Sequence, residues 1–176
     1  KAVAAARLAE LFADRQLDAF VLFTSIAGVW GSSGQGVYGA ANAHADALAQ
    51  YRRSHGLPAV AVSWGPWAGG GMAAEEGFGE QLRQHGIAMM PPESAITALA
   101  GALDRDETLL TVADVDWTRL APVFASARPR PLLDGISEAR GAIEAALAGA
   151  GNDDAAASLR REVQALPAGE RWAHLR

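Results

Sequence analysis

Residues 19–64 read AFVLFTSIAGVWGSSGQGVYGAANAHADALAQYRRSHGLPAVAVSW, and this stretch decides the fold. Ala19 to Thr24 is a short continuous apolar run whose length and β-branched or aromatic content predict a strand buried on both faces, the habit of parallel sheets. Ser25-Ile26-Ala27-Gly28 follows, then a glycine/serine loop through Gly36. The alanine-rich segment 37–55 predicts a helix that Gly56 stops. Pro58 opens a second buried strand, Ala59 to Trp64. Strand, helix and strand of this kind make a βαβ unit with a right-handed crossover, so the chain is expected to be α/β.

Working outward, residues 2–14 place Val3, Leu8, Leu11 and Phe12 in an alanine-rich background near a 3.6-residue period, which predicts a helix packed on that face. No cap signal precedes Lys1, so the sequence is expected to continue upstream. Downstream, 65–71 is a glycine-rich loop, 73–85 a polar helix, 92–103 a helix entered through Pro91-Pro92-Glu93, and 108–112 a strand. Asp116 is expected to cap a helical turn through Trp117, Leu120 and Phe124. Residues 128–133 read as irregular surface chain, and helical patterning resumes at Ser137. Residues 142–157, with Asn152-Asp153-Asp154, have a linker composition, and 159–176 form a charged amphipathic stretch. The expected organisation is a catalytic unit over 1–135, then a helix, a linker and the start of another domain over 136–176.

Composition narrows the function. With 176 residues, half of them hydrophobic, the chain can build one sizeable core. It has no cysteine, which excludes disulfides, thiolate nucleophiles and cysteine metal sites, and its four dispersed histidines have no paired ligand spacing; no metal is expected. A net charge of −5 gives no footprint for nucleic acid. No apolar run approaches the roughly 18 residues of a membrane span, and no signal peptide opens the chain. A soluble, cytoplasmic chain with neither nucleic acid nor membrane as partner is expected.

Four residues stand out by position: Lys1 on the first helix, Ser25 at the end of the first strand, and Tyr38 with Asn42 one turn apart on the next helix. The carboxyl ends of parallel strands are where open α/β sheets bind ligands, and residues at i and i+4 share a helix face. Reducing a ketone needs hydride at carbon and a proton at the oxygen where charge develops. A phenol suits the second role once a neighbouring ammonium favours its ionised form. Lys1 supplies such an ammonium, Ser25 a hydrogen bond to the oxygen, and Asn42 a support for a proton path. Two competing readings fail on order. Gly31 to Gly36 runs G-x-x-G-x-G rather than the dinucleotide fingerprint G-x-G-x-x-G. A serine-hydrolase set of Ser25, His44 and Asp46 lacks the G-x-S-x-G elbow, since Phe23 stands two residues before Ser25.

Residues 20–72 resemble the core of modular polyketide synthase ketoreductases, enzymes of the short-chain dehydrogenase type, and KAVAAARLAEL, residues 1–11, resembles that family's lysine helix. The resemblance implies a Rossmann-like short-chain dehydrogenase fold, here the C-terminal part of the parallel sheet with flanking helices and a lid. It implies NADPH as cofactor and, as substrate, a β-ketoacyl chain on the phosphopantetheine of an acyl-carrier protein. By that resemblance Tyr38 is the proton donor, Ser25 the oxyanion partner, Lys1 the ribose-binding residue beside the tyrosine, and Asn42 the relay. The family carries its lysine on the preceding helix instead of four residues after the tyrosine, where Asn42 stands. Gly65-Pro66-Trp67 resembles the turn against the nicotinamide, and Gly69-Gly70-Gly71-Met72 the hinge and tip of the lid, with Met72 touching substrate and cofactor. Trp30 resembles the A-type signature, which gives an L-hydroxyl, and Gln35 in place of histidine favours the A1 subtype. LRREVQALPAGERWAHLR, residues 159–176, resembles the linker and opening helix before a carrier domain. The family's N-terminal subdomain and glycine-rich cofactor loop are not in this sequence, so the missing part of the same ketoreductase and other synthase domains are expected partners. The alternatives are a non-catalytic scaffold fragment within a megasynthase, or a free-standing short-chain alcohol dehydrogenase, against which the carrier-like tail argues.

Overall fold

A computed structural model describes residues 1–69 and 77–150. In chain order the elements are α1 Ala2–Leu11, β1 Val21–Ser25, α2 Ile26–Val29, α3 Gly36–Ser54, β2 Val60–Trp64, α4 Phe78–Gln84, β3 Ile87–Ala88, α5 Pro92–Asp104, β4 Leu109–Val112, β5 Asp114–Val115, α6 Trp117–Ala125, a 3₁₀ turn Pro131–Leu133, and α7 Ser137–Ala150. They divide into two compact units, Lys1–Asp116 and the chain from Trp117 onward.

In the first unit β1, β2 and β4 form a parallel sheet in the order β1-β2-β4. The register runs from Val21 opposite Val60 to Ser25 opposite Trp64, and from Ala61 opposite Leu109 to Trp64 opposite Val112, so the three strands end together. Residues of β2 alternate between two cores. Val60, Val62 and Trp64 meet Met90, Ala95 and Ala102, the last two on α5. Ala61, with Ala59, meets Ala49 of α3, together with Phe20 and Leu22. Helices thus cover both faces, and every residue of β2 is buried. Gly56 ends α3 with φ +74, a left-handed conformation that glycine adopts without penalty. Pro92 opens α5, where its missing N–H would have no helical partner.

The parallel βαβ unit forms as the sequence predicts, and two expectations inside it need correction. The first strand is Val21–Ser25, two residues later at its start, and it is not buried on both faces: Phe23 is 48% exposed. It is the edge of the described sheet, paired only with β2. Second, α1 stops at Leu11 and buries Ala5 and Ala9, while Val3, Leu8 and Leu11 are exposed. Ile26–Val29, to which the sequence assigns no element, is a helical turn. The short antiparallel pair β3–β5 had no signal in the sequence, being two residues on each side.

In the second unit Ala121, Leu133 and Ala139 form a core with Trp117, Phe124 and Ile136 packed around it. Residues 128–133 are therefore not simply surface chain. Leu133 is 2% exposed, and the Arg130 guanidinium lies 4.1 Å over the Phe124 ring while its Nε donates to the Phe124 carbonyl at 2.9 Å. The linker composition that starts at Ala142 is helix up to Ala150, as alanine's propensity favours. The remaining linker, the amphipathic stretch 159–176, and Met72 with the lid tip lie outside the described residues. Among the described residues no helix is long and apolar enough to cross a membrane.

Candidate active site

Ser25 is the last residue of β1 and turns the chain. Its backbone is extended, φ −147 and ψ 146, and its Oγ accepts the N–H of Ala27 at 3.2 Å, capping the single turn of α2. At the other end of α2 stands Trp30, half-buried, its N–H donating to the Ile26 carbonyl at 3.0 Å. Two glycines let α2 lie directly on α3. A Cβ on Gly39 would stand 2.8 Å from the Ala27 carbonyl oxygen, and one on Gly28 would stand 3.0 Å from the Ala43 nitrogen and 3.1 Å from the Asn42 Cβ. The turn after Ser25 is thereby pressed against the first turns of α3, which carry Tyr38 and Asn42.

Asn42 is fully buried and both ends of its carboxamide are used. Its Oδ1 accepts from the Lys1 Nζ at 2.5 Å, across 41 residues of chain, and its Nδ2 donates to the Tyr38 carbonyl at 2.8 Å. A buried amide left unpaired costs on the order of 1–3 kcal/mol, so this pairing fixes the lysine head and the tyrosine turn relative to each other. Tyr38 and Ser25 are half-buried, and Lys1 is exposed apart from this bond. Three of the four sequence candidates are thus joined by hydrogen bonds, and the fourth is brought to the same helix by glycine packing.

Gly65-Pro66-Trp67 continues β2 past the strand ends. Gly65 donates to the Val112 carbonyl at 2.8 Å, and a Cβ on it would meet the Ala113 Cβ at 3.0 Å. The Pro66 carbonyl accepts from Met90 at 2.9 Å. The Trp67 ring stands edge-on to Trp64 at 5.0 Å and 6.0 Å from Phe23, making an aromatic wall at the end of the sheet. Gln35 is exposed at the start of α3, its carbonyl accepting the Gly39 N–H at 2.8 Å. Gly31 and Gly34, at φ +90 and +73, give the intervening loop turns that other residues adopt only with strain.

His44 is exposed, and Asp46 is half-buried and accepts from the Ser63 hydroxyl at 3.4–3.5 Å; Ser63 in turn meets Thr24 Oγ1 at 2.8 Å. This buried chain ties β1, β2 and α3 together behind the site. It was missed in the sequence because the hydroxyls of Thr24 and Ser63 interrupt apolar strands without forming any motif. Arg52 was also missed, although it falls in phase with the buried stripe Asn42, Ala45 and Ala49 of α3.

These residues fit the nicotinamide end of a dinucleotide. A lysine ammonium, a serine hydroxyl and a half-buried phenol sit at the carboxyl ends of parallel strands, while the described residues hold no G-x-G-x-x-G turn for the diphosphate. A parallel sheet with helices on both faces and this site is the Rossmann-like α/β fold of short-chain dehydrogenases, and comparisons with known proteins agree. The family model described as "KR domain" matches residues 1–69. The pikromycin polyketide synthase component PikAIII of Streptomyces venezuelae is 49% identical over 163 residues, 92% of this chain and 10% of that protein. Solved structures described as A-type ketoreductases from a modular polyketide synthase and as an A1-type ketoreductase each give 47% identity and a TM-score of 0.77. The match covers 79% and 80% of this chain respectively, and 29% of each solved chain. Residues 1–69 match the KR-domain model, and the chain is similar to modular polyketide synthase components and, in structure, to A-type ketoreductases. It spans a tenth or less of the first curated relatives and under a third of these solved chains.

Proposed function

We propose that, within its full-length protein, this chain supplies the tyrosine side of an NADPH-dependent ketoreductase site. The reaction reduces a β-ketoacyl group on the phosphopantetheine of an acyl-carrier protein to an L-β-hydroxyacyl group. The observation that carries the reading is the Asn42 carboxamide, which holds the Lys1 ammonium with one end and the Tyr38 turn with the other. In this reading the Tyr38 hydroxyl gives its proton to the ketone oxygen, and the Ser25 hydroxyl holds that oxygen as charge develops on it. Lys1 contacts the nicotinamide ribose, and Asn42 keeps the ammonium in place and supports a water for proton return. Bound NADPH supplies the hydride. Gly65, Pro66 and Trp67 wall the nicotinamide at the strand ends, and Met72, outside the described residues, is assigned to substrate and cofactor by the family resemblance.

Trp30 and Gln35 flank the entry to Tyr38 and set which face of the ketone meets the hydride, in the A1 sense. The difference required is small, about 1.4 kcal/mol for each tenfold in product ratio. Residues 1–135 belong to the reductase and 136–176 lead into the next, carrier-containing part of a cytoplasmic synthase. The remaining part of the same ketoreductase and the other synthase domains are its partners.

The test gives the full-length protein a carrier-bound 2-methyl-3-ketoacyl chain. NADPH consumption is followed, and the released acid is resolved by chiral chromatography. The expected product has an L-hydroxyl and an unaltered methyl centre, and Trp30→Ala lowers that preference before it lowers rate. A mainly D-hydroxyl product would overturn the A-type reading, and an L-hydroxyl with an inverted methyl only the A1 refinement. No consumption of NADPH would overturn the activity.

A further inference from the structure

The face that α1 turns to α3 is poor in interlocking side chains, since its buried residues are Ala5 and Ala9. Two methyl groups do little to stop a helix sliding or rotating on its neighbour. Yet Lys1, the N-cap of α1, has an ammonium that must reach Asn42. A second polar link stands at the other end of α1. Arg52 of α3 is 1% exposed, and its Nη1 donates to the Ala9 carbonyl at 3.1 Å while its Nε donates to the Pro58 carbonyl at 3.3 Å. Its guanidinium lies 4.1 Å over the Phe20 ring.

The Ala9 carbonyl needs such a donor. The N–H of Ala13, which an unbroken helix would aim at it, goes to Glu10 instead, and α1 has no basic residue in its own last turn. A cation placed there also meets the negative end of the helix dipole. Lys1 pairs with Asn42, and Ala9 with Arg52, so α1 and α3 run side by side in the same direction. The two links are eight residues apart on α1 and ten on α3, about 12 and about 15 Å of helix rise, and the long lysine and arginine side chains take up the difference. The helix is bolted at both ends.

We propose that Arg52 is a positioning residue for Lys1: by capping the Ala9 carbonyl from α3 it fixes the slide and rotation of α1 that bring the ammonium to Asn42. This rests on the reading of Lys1 as the ribose-binding residue of a reductase. Burial also holds the Arg52 guanidinium below arginine's ordinary pKa, the opposite of what a surface ion pair would do.

The experiment is a double-mutant cycle in the full-length protein with NADPH and a carrier-bound ketone. Lys1→Met alone tests the underlying reading: unchanged kinetics there would refute the role of Lys1 and leave the bolt without a catalytic purpose. Given a loss with Lys1→Met, Arg52→Met is expected to raise KM for NADPH and lower kcat, about tenfold together in kcat/KM, with KM for the carrier-bound ketone unchanged. In the Lys1→Met background the same substitution is expected to cost less than about twofold. Arg52→Lys, which keeps a donor for Ala9, should recover part of the loss. Equal losses in both backgrounds, or an unchanged NADPH KM, would overturn the proposal and leave Arg52 a purely structural residue. Where Arg52→Met does not fold, Phe20→Leu, which loosens the guanidinium without removing it, is read in the same cycle with the same two outcomes.

Discussion

Substituting alanine at Gly39 adds one methyl group at the contact that seats α2 on α3. Built on the present backbone, its Cβ stands 2.8 Å from the Ala27 carbonyl oxygen, where ordinary contact begins at 3.4 Å. The obstacle is backbone, so no rotamer relieves it, and α2 must back away by about 0.6 Å. Because α2 follows Ser25 directly, the shift passes to the serine. Two effects on stability oppose each other. Alanine favours the helix over glycine by about 1 kcal/mol, and overpacking costs about 1–3 kcal/mol, so the net loss is between about 0 and 2 kcal/mol. Activity has no such compensation. A misplacement of about 1 Å at a reacting group costs up to about 10²-fold, so Gly39→Ala is expected to lower kcat by about tenfold or more with Tm changed by only a few degrees. The assay pairs NADPH consumption on a carrier-bound ketone with thermal unfolding of the full-length protein. The control is Gly141→Ala at an exposed position of α7, where a Cβ meets nothing within 4 Å; it should stabilise by about 1 kcal/mol and leave kcat alone. Wild-type kcat and a raised Tm for Gly39→Ala would refute the α2–α3 packing argument.

Ser25→Ala should lower turnover about 10²-fold, the effect of removing one oxyanion donor, with NADPH binding retained; steady-state kinetics and fluorescence titration check both, and unchanged turnover would remove Ser25 from the site. The Asp106 carboxylate receives two bonds from the Arg53 guanidinium, at 2.7 and 2.5 Å, and the hydrogen bonds and charge of that arginine hold it below the ordinary aspartate pKa. A depressed folded-state pKa stabilises above the unfolded value and loses that contribution as pH falls through the folded one. An NMR titration should therefore place the Asp106 midpoint below ordinary aspartate, and Arg53→Gln or high salt should return it upward. An unchanged midpoint in Arg53→Gln would contradict the pairing.

The βαβ unit was legible because two apolar runs flank an alanine-rich segment with a glycine stop. What misled was the assumption that large apolar residues mark the buried face. On α1 two alanines, Ala5 and Ala9, are buried while Val3, Leu8 and Leu11 are exposed. Phe23 is half-exposed because β1 is the edge of the described sheet, which no local pattern reveals. Four residues of α2 are too few for a period, so its only signal is the capping serine, Ser25. Lys1, Ser25, Tyr38 and Asn42 stand out by position on the predicted elements, and resemblance to a family assigns their roles. The Asn42 bridge depends on a contact across 41 residues, which spacing alone does not encode. Arg52 was discoverable from its phase on α3, three residues beyond Ala49, but a pair of arginines at a helix end reads first as solvated charge.

The central claim is that Tyr38 gives the proton to the reduced ketone. It is tested most directly by Tyr38→Phe in the full-length protein, which deletes one hydroxyl and leaves the ring and the Asn42 bond to the residue's carbonyl in place. Turnover of a carrier-bound β-ketoacyl chain is measured beside NADPH affinity. The account predicts that reduction is abolished while NADPH binds nearly as tightly as before. Wild-type turnover by Tyr38→Phe would contradict it.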